Sequence, residues 1–208
     1  MSTKHSSKSN PDKRKMLLRA FKKKPLMHTM EIVKLGISRQ YLGKLVDKGV
    51  IEKVGRGLYK LPGSLLSEYY SLVKSSALVP HGVICLLSAL QFHKLTTQMP
   101  FEVWMAIKDK SGEPRESDSA LKIVRFSPPA YRAGIEEHQL DGVNVKIYSP
   151  AKTVADCFKF RHRIGLDIAI EALKDYLKSN PGGSDEIWEY ARICRVIKII
   201  RPYLEALV

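Results

Sequence analysis

The sequence has few cysteines and no long hydrophobic run. Its three cysteines, Cys85, Cys157 and Cys194, are odd in number and widely spaced, so they predict neither a disulfide framework nor a CxxC metal site. Each lies among apolar neighbours, which indicates buried, unreactive thiols. No run approaches the roughly 20 apolar residues of a membrane span, and residues 1–15 lack the apolar core of a secretory signal. These absences predict a cytoplasmic protein with no membrane partner.

The sequence also lacks the short motifs of several enzyme classes. It has no GxSxG nucleophile elbow, no Walker A or GxGxxG loop, and no Glu-x-Lys pair of the nuclease type. Its six histidines show neither HxxxH nor HxH spacing, which argues against a metal site. We therefore expect no enzymatic activity, no catalytic residue, no cofactor and no bound metal.

Positive charge, in contrast, is abundant and localised. Residues 1–62 contain 16 Lys and Arg against four Asp and Glu, a net charge of +12, whereas the whole chain of 208 residues has +14. A localised positive field is typical of a protein that binds a polyanion. The Ser/Lys-rich segment over residues 1–11 is predicted to be a disordered basic tail. The excess charge continues beyond it through residues 12–62, where the sequence has folded patterning.

Residues 12–62 have the pattern of a winged helix-turn-helix. Thr29 is a candidate cap for the second helix, Gly36 permits a tight turn, and Ser38 is a good N-cap for the third helix. The turn Gly55-Arg56-Gly57 between two short strands predicts a wing. The expected elements are helices at about 16–24, 30–35 and 39–48, and strands at about 50–53 and 58–61.

The third helix has the features of a recognition helix. Its apolar residues form one stripe, and the opposite face has Arg39, Gln40 and Lys44. In the major groove, Arg can pair with guanine and Gln with adenine. A solvated basic face is the alternative for any one of these residues. We predict double-stranded DNA as the partner, contacted by Ser38, Arg39, Gln40, Lys44, Lys53, Arg56 and Lys60.

Residues 63–208 predict a second domain, so that the fold class is α+β: an N-terminal winged helix-turn-helix followed by an α+β domain with a small sheet and a helical C-terminal end. Asp141-Gly142 is a strong hairpin signal, and Ser149-Pro150 can begin a helix. The polar segment Lys108–Ser119 predicts an exposed loop. Helices are expected at about 69–74, 81–92, 150–160, 166–179, 185–194 and 196–207, and strands at about 102–107, 121–126, 135–140 and 143–148.

Three segments resemble the AbiEi-type antitoxins of type IV toxin–antitoxin pairs, which act in abortive infection and so in phage defence. Residues 29–39 contain the family's LG(I/V)SR turn, residues 49–62 its RG(L/V)Y.LP wing, and residues 149–157 its SP.KT(L/V).DC helix start. The resemblance spans roughly residues 12–180. It implies a winged domain that binds inverted repeats in its own promoter and represses transcription. It further implies that residues 63–208 form an antitoxin or effector domain that counters a nucleotidyltransferase-like toxin, directly or through the toxin's target.

Other interpretations of the second domain stay open. It could instead sense a small molecule or mediate dimerisation, which would make the chain a winged-helix transcriptional regulator of another kind. The basic residues Lys159, Arg161 and Arg163 either contact a partner or complement a helix end. The polar residues here belong either to helix capping, with Lys152 and Thr153 in the first turn after Ser149, or to a buried pair of Asp156 with Arg161 or Arg163. Neither the oligomeric state, nor the operator sequence, nor the role of residues 184–208 follows from the sequence.

Overall fold

A computed structural model describes residues 10–64, 67–112 and 120–207. Within these ranges the helices are α1 (Asn10–Lys23), α2 (Thr29–Lys34), α3 (Arg39–Asp47), α4 (Tyr70–Leu78), α5 (Leu86–Phe92), α6 (Pro128–Arg132), α7 (Pro150–Lys159), α8 (Arg161–Ile164), α9 (Leu166–Ser179), α10 (Ser184–Cys194) and α11 (Ile197–Glu205). The strands are β1 (Met27–His28), β2 (Glu52–Gly55), β3 (Leu58–Lys60), β4 (Val83–Ile84), β5 (Val103–Lys108), β6 (Leu121–Phe126), β7 (Ile135–Leu140) and β8 (Val143–Tyr148).

Two sequence predictions fall largely outside the described residues. The disordered basic tail was expected over residues 1–11, and only Asn10 and Pro11, at the start of α1, lie within the described ranges. The exposed loop over 108–119 is described only as far as Gly112. The chain divides into two compact units, one of residues up to Leu78 with the hairpin tip Gln139–Val143, and the other of Val79–His138 and the residues from Asn144 onwards. The predicted boundary at residues 62–63 stays a prediction.

The first unit contains a winged helix-turn-helix. Helices α1 to α3 pack around one apolar core, and Gly36 makes the turn between α2 and α3 with a φ of +81°, which favours glycine. The strands form an antiparallel three-stranded sheet of order β1-β3-β2. The predicted N-terminal fold is therefore confirmed. Its buried core consists of Leu17, Phe21, Met27, Ile32, Ile37, Leu42, Leu45 and Ile51.

Helix α2 begins one residue earlier than its predicted cap implies, because strand β1 leads directly into it. His28, not Thr29, is the extended N-cap residue, and its backbone N–H donates to Oε2 of Glu31 at 2.8 Å. Nζ of Lys24 lies 2.5 Å from Oε1 of the same carboxylate. Burial alone would raise the pKa of Glu31, but the bonds from Lys24 and His28 outweigh it and lower the pKa. The carboxylate therefore stays charged at the start of the helix, where it is favourable.

The second unit contains a five-stranded mixed sheet of order β6-β5-β4-β8-β7. Strand β4 runs antiparallel to β5 and parallel to β8, while β5 runs parallel to β6. The predicted hairpin is confirmed, since β7 and β8 have the expected bounds and both Asp141 and Gly142 adopt the positive φ of a two-residue hairpin turn. Helices α7, α9, α10 and α11 contribute to one buried core. The α+β class predicted for this part is confirmed as well.

The helix predicted over residues 81–92 is in part a strand. Val83 and Ile84 form β4 in the middle of the sheet, and only Leu86–Phe92 is helical. A central strand is covered on both faces and reads as a continuous apolar run, which periodicity cannot distinguish from a buried helix. The short helices α6 and α8 were not predicted, since each has at most five residues and offers too little periodicity.

A buried ion pair lies on α7. Nζ of Lys152 is 2.5 Å from Oδ2 of Asp156, and the two side chains are 0% and 1% exposed. The thiol of Cys194 on α10 donates to Oδ1 of Asp156 at 3.2 Å. Burial raises the pKa of Asp156, and the Lys152 ammonium opposes that rise. Asp156 is therefore buried, but its partner is Lys152 one turn earlier on the helix, and not Arg161 or Arg163.

We expect Asp156→Asn to lower the free energy of unfolding by about 3–5 kcal/mol, because it leaves the Lys152 ammonium buried without a countercharge. Urea denaturation measures the change. The control is Glu189→Gln, which removes a carboxylate from the surface of α10. The double variant Lys152→Met, Asp156→Leu should recover most of the difference, since an apolar pair needs no countercharge. An effect of Asp156→Asn as small as that of the control would contradict the role of the pair.

Candidate DNA-binding surface

Helix α3 presents a polar face because its other face is buried. Leu42 and Leu45 are 2% and 3% exposed, within the core of the first unit. The helix begins at Ser38, whose Oγ accepts the backbone N–H of Tyr41 at 3.2 Å. This N-cap fixes the direction of the first turn. The face opposite the core consequently consists of exposed residues, among them Arg39, Gln40 and Lys44.

Arg39 lies at the edge where α2 and α3 meet. Nη2 of its guanidinium is 3.8 Å from Sδ of Met30 on α2, and Met30 is itself 57% exposed. An exposed methionine beside an exposed arginine offers an apolar surface next to a fork of hydrogen-bond donors. The predicted site residues Ser38, Arg39, Gln40 and Lys44 thus share one accessible surface.

The wing is attached to the start of α2. The backbone N–H of Thr29 donates to the Gly57 carbonyl at 2.7 Å, and its hydroxyl donates to the same oxygen at 3.2 Å. The register of β2 against β3 shifts between Lys53 and Gly55, next to the turn. Arg56 is exposed at the tip and Lys53 is exposed on β2. Both cations are therefore accessible on a wing whose turn is fixed to the start of α2.

Lys60 differs from the other six predicted residues. Its Nζ lies 3.1 Å from Oε2 of Glu52 on the neighbouring strand, and its side chain is only 16% exposed. The ammonium also lies 5.9 Å from the ring centroid of Tyr70. A contact between Lys60 and a DNA phosphate would require the phosphate to replace Glu52, and this contact stays a prediction.

Sequence reasoning missed a basic cleft between α1 and α3. The cleft has a volume of about 570 Å³, and its lining includes Leu18 and Leu45 but no acidic residue. Among the residues that the structure describes, none of its four cations forms an ion pair. The excess of positive charge in residues 1–62 indicated these cations, but only the fold shows that α1 and α3 lie next to each other. The cations are Arg14 and Lys15 on α1, Lys44 on α3, and Lys48 at the C-cap of α3.

Lys44 joins this cleft to the exposed face of α3. At 100° per residue, Lys44 lies between Gln40 and Lys48 around the helix axis. The exposed face and the cleft thus form one continuous basic surface, which we call the α3 surface. Elsewhere in the described ranges, no three His, Cys, Asp or Glu residues are grouped to hold a metal ion. The described helices are all too short or too polar to cross a membrane.

Comparison with known families finds a match for the N-terminal region. Residues 16–62 match the family model described as "Transcriptional regulator, AbiEi antitoxin". The predicted resemblance to AbiEi antitoxins is confirmed for this region. It contains all three helices of the helix-turn-helix and the wing, apart from the first residues of α1. Most of the α3 surface therefore lies in a region that is similar to a family of transcriptional regulators, which is consistent with DNA as the partner.

The fold of the whole chain also has a solved counterpart. The crystal structure of the RV2827C protein from Mycobacterium tuberculosis is similar with a TM-score of 0.53 and 13% sequence identity. The similarity covers 97% of this chain and 82% of that one. At this identity the likeness concerns the fold alone. A comparison with curated proteins finds no match.

Ser38 permits a test that separates stability from DNA binding. We expect Ser38→Ala to lower the free energy of unfolding by about 1 kcal/mol, because the N-cap is removed. Ser38→Asp keeps a capping oxygen, so its stability should stay near that of the wild type, while its negative charge should repel DNA phosphates and weaken binding. Urea denaturation and mobility-shift titration measure the two effects. The control is Ser127→Asp, at the exposed N-cap of α6 in the second unit. If the two Asp variants bind DNA equally well, α3 is not part of the DNA-binding surface.

The cleft residues predict a change in salt dependence. Lys15→Gln with Lys48→Gln should flatten the log–log salt slope of DNA binding by about 0.9 for each phosphate that is no longer neutralised. Lys22→Gln with Lys23→Gln removes the same charge from exposed residues of α1 outside the cleft lining. The difference in slope between the two double variants isolates the cleft from general charge. Equal slopes, measured over a series of NaCl concentrations, would exclude the cleft from phosphate binding.

Proposed function

We propose that the protein is the antitoxin of a type IV toxin–antitoxin pair and represses its own operon by binding promoter DNA. The observation that supports this proposal is the α3 surface, which lies largely within the region similar to AbiEi antitoxins. Arg39 and Gln40 would contact base edges in the major groove, where their donors and acceptors can discriminate between base pairs. The protein would act by binding, without a catalytic step.

The division of contacts follows from the chemistry of each group. The cations Lys44, Lys53 and Arg56 would bind phosphates, which position the domain without specifying a sequence. Lys60 would join them if a phosphate replaces Glu52. Inverted repeats in the promoter would then accommodate two winged domains, each with its α3 in a major groove.

The second domain would provide the antitoxin activity. Residues 63–208 have a net charge of only +2, so the electrostatic attraction for DNA resides in the first 62 residues. The domain has its own extensive apolar core, as an independent binding module needs. Its target would be a nucleotidyltransferase-like toxin or the molecule on which that toxin acts. Lys159, Arg161 and Arg163 are candidates for that contact, since each is at least partly exposed.

Promoter binding tests the repressor function. We expect Arg39→Ala or Gln40→Ala to weaken binding to the specific site by about 1–3 kcal/mol each, with a smaller effect on unrelated DNA. Mobility-shift titration with the promoter and with a scrambled duplex measures both affinities. Arg192→Ala, which removes an arginine from α10 in the second unit, is the control. Promoter binding by Arg39→Ala and Gln40→Ala at wild-type strength would refute the proposed recognition helix.

Growth rescue tests the antitoxin function separately. The full chain with Arg39→Ala and Gln40→Ala is co-expressed with the toxin encoded in the same operon. We expect this variant to restore growth as the wild type does while a promoter reporter becomes derepressed. Absence of rescue by the wild-type chain would refute the antitoxin assignment, and failure of the variant alone would show that neutralisation requires DNA binding.

A further inference from the structure

The second unit contains a cavity in which only Lys159, a candidate for the toxin contact, has a part in the proposed function. Its volume is about 390 Å³, within the range of small-molecule sites in proteins. The ends of β6, α7 and α10 and the turn into α6 surround it. Its lining thus comes from three separate stretches of the chain, and no motif marks it in the sequence.

The rim of this cavity is cationic. Arg125, Lys159 and Arg195 line it and are all exposed. Neither Lys159 nor Arg195 forms an ion pair with any residue that the structure describes, while Arg125 donates to the Ser111 carbonyl at 2.7 Å. The single acidic residue among the lining residues is Asp156, and the buried Lys152 ammonium compensates its charge. The rim therefore favours an anionic group.

The floor of the cavity, in contrast to its rim, includes aromatic rings and one carboxylate. The rings of Phe126 and Phe160 both line the cavity and are stacked at a centroid distance of 5.1 Å. Phe126 is only 2% exposed, so the partly exposed Phe160 provides most of the apolar surface for a planar body. The Asp156 carboxylate accepts one bond from Lys152 and one from the Cys194 thiol. A carboxylate has about four lone-pair sites, so Asp156 retains capacity for an N–H donor of a ligand.

Arg195 occupies a backbone position that suits glycine better. It ends α10 in the left-handed conformation, with φ +59° and ψ +43°, where a helix C-terminus usually has glycine. An arginine in this place bears a conformational penalty. Backbone conformation does not explain an arginine at this position. The place of its guanidinium on the rim of the cavity does.

We propose that this cavity binds a nucleoside monophosphate. This chemical class combines a phosphate for the Arg125, Lys159 and Arg195 rim with a planar base that has N–H groups for Asp156. Ligand binding there goes beyond promoter binding and toxin neutralisation, and it would give the second domain the sensing role that the sequence left open.

The test uses the full chain and isothermal titration calorimetry. Each of the four common ribonucleoside monophosphates is titrated, with the matching nucleosides and inorganic phosphate as probes that lack one half of the ligand. We expect at least one monophosphate to bind more tightly than its nucleoside and than phosphate. Binding of none of the monophosphates, or equally tight binding of inorganic phosphate, would overturn the proposal.

Two variants locate the bound ligand. Arg195→Gly removes the cation and also relieves the backbone, so it should weaken binding about tenfold through removal of a charge-assisted hydrogen bond while thermal stability stays equal or rises. Lys159→Gln should weaken binding without a change in fold. Arg192→Gln, on α10 and outside the cavity lining, should bind as the wild type does. If Arg195→Gly and Lys159→Gln both keep wild-type affinity, the ligand binds elsewhere, for instance on the basic N-terminal region, and the proposal fails.

Discussion

The ion pair between Lys152 and Asp156 is the constraint on which the second unit depends. Two opposite charges can be buried away from water only if they stay paired with each other and the surrounding groups hold both in place. The ammonium lies over the rings of Tyr148 from β8 and Phe126 from β6, at 4.1 and 4.9 Å from their centroids. The carboxylate accepts from Cys194 on α10. The pair thus links two strands and two helices through interactions that are directional, unlike the apolar contacts around it.

Helix α3 has the corresponding role in the first unit. One side completes the apolar core through Leu42 and Leu45, and the other side presents Arg39, Gln40 and Lys44 to solvent. Because the core fixes the rotation of the helix about its axis, it also fixes which side chains face solvent. The positions of these polar side chains are therefore determined by buried residues of the core. The N-cap of the helix, Ser38, sets the first turn in the same way.

The sequence predicted the features that local patterns encode. Capping at Ser38 and Ser149, the hairpin at Asp141-Gly142 and the late helices are as expected, since each depends on neighbouring residues alone. Strand β4 was missed because burial on both faces erases the alternation that marks a strand. The α1–α3 cleft depends on packing between elements, and a charge count cannot predict it. Lys152 and Asp156 have the i,i+4 spacing of an ion pair on one helix, but their burial depends on packing between elements as well. The resemblance to AbiEi antitoxins rested on residue motifs and not on these physical patterns.

The two hydrogen bonds from Thr29 to the Gly57 carbonyl have a consequence for the way the domain meets a duplex. They tie the turn of the wing to α2, the helix that precedes α3, and so restrict the movement of the wing relative to α3. Their spacing is set during folding, and association therefore requires little further ordering of the chain. Under the proposed function, the fixed spacing of α3 and the wing favours duplexes whose groove geometry matches it, and other duplexes must be deformed before they fit.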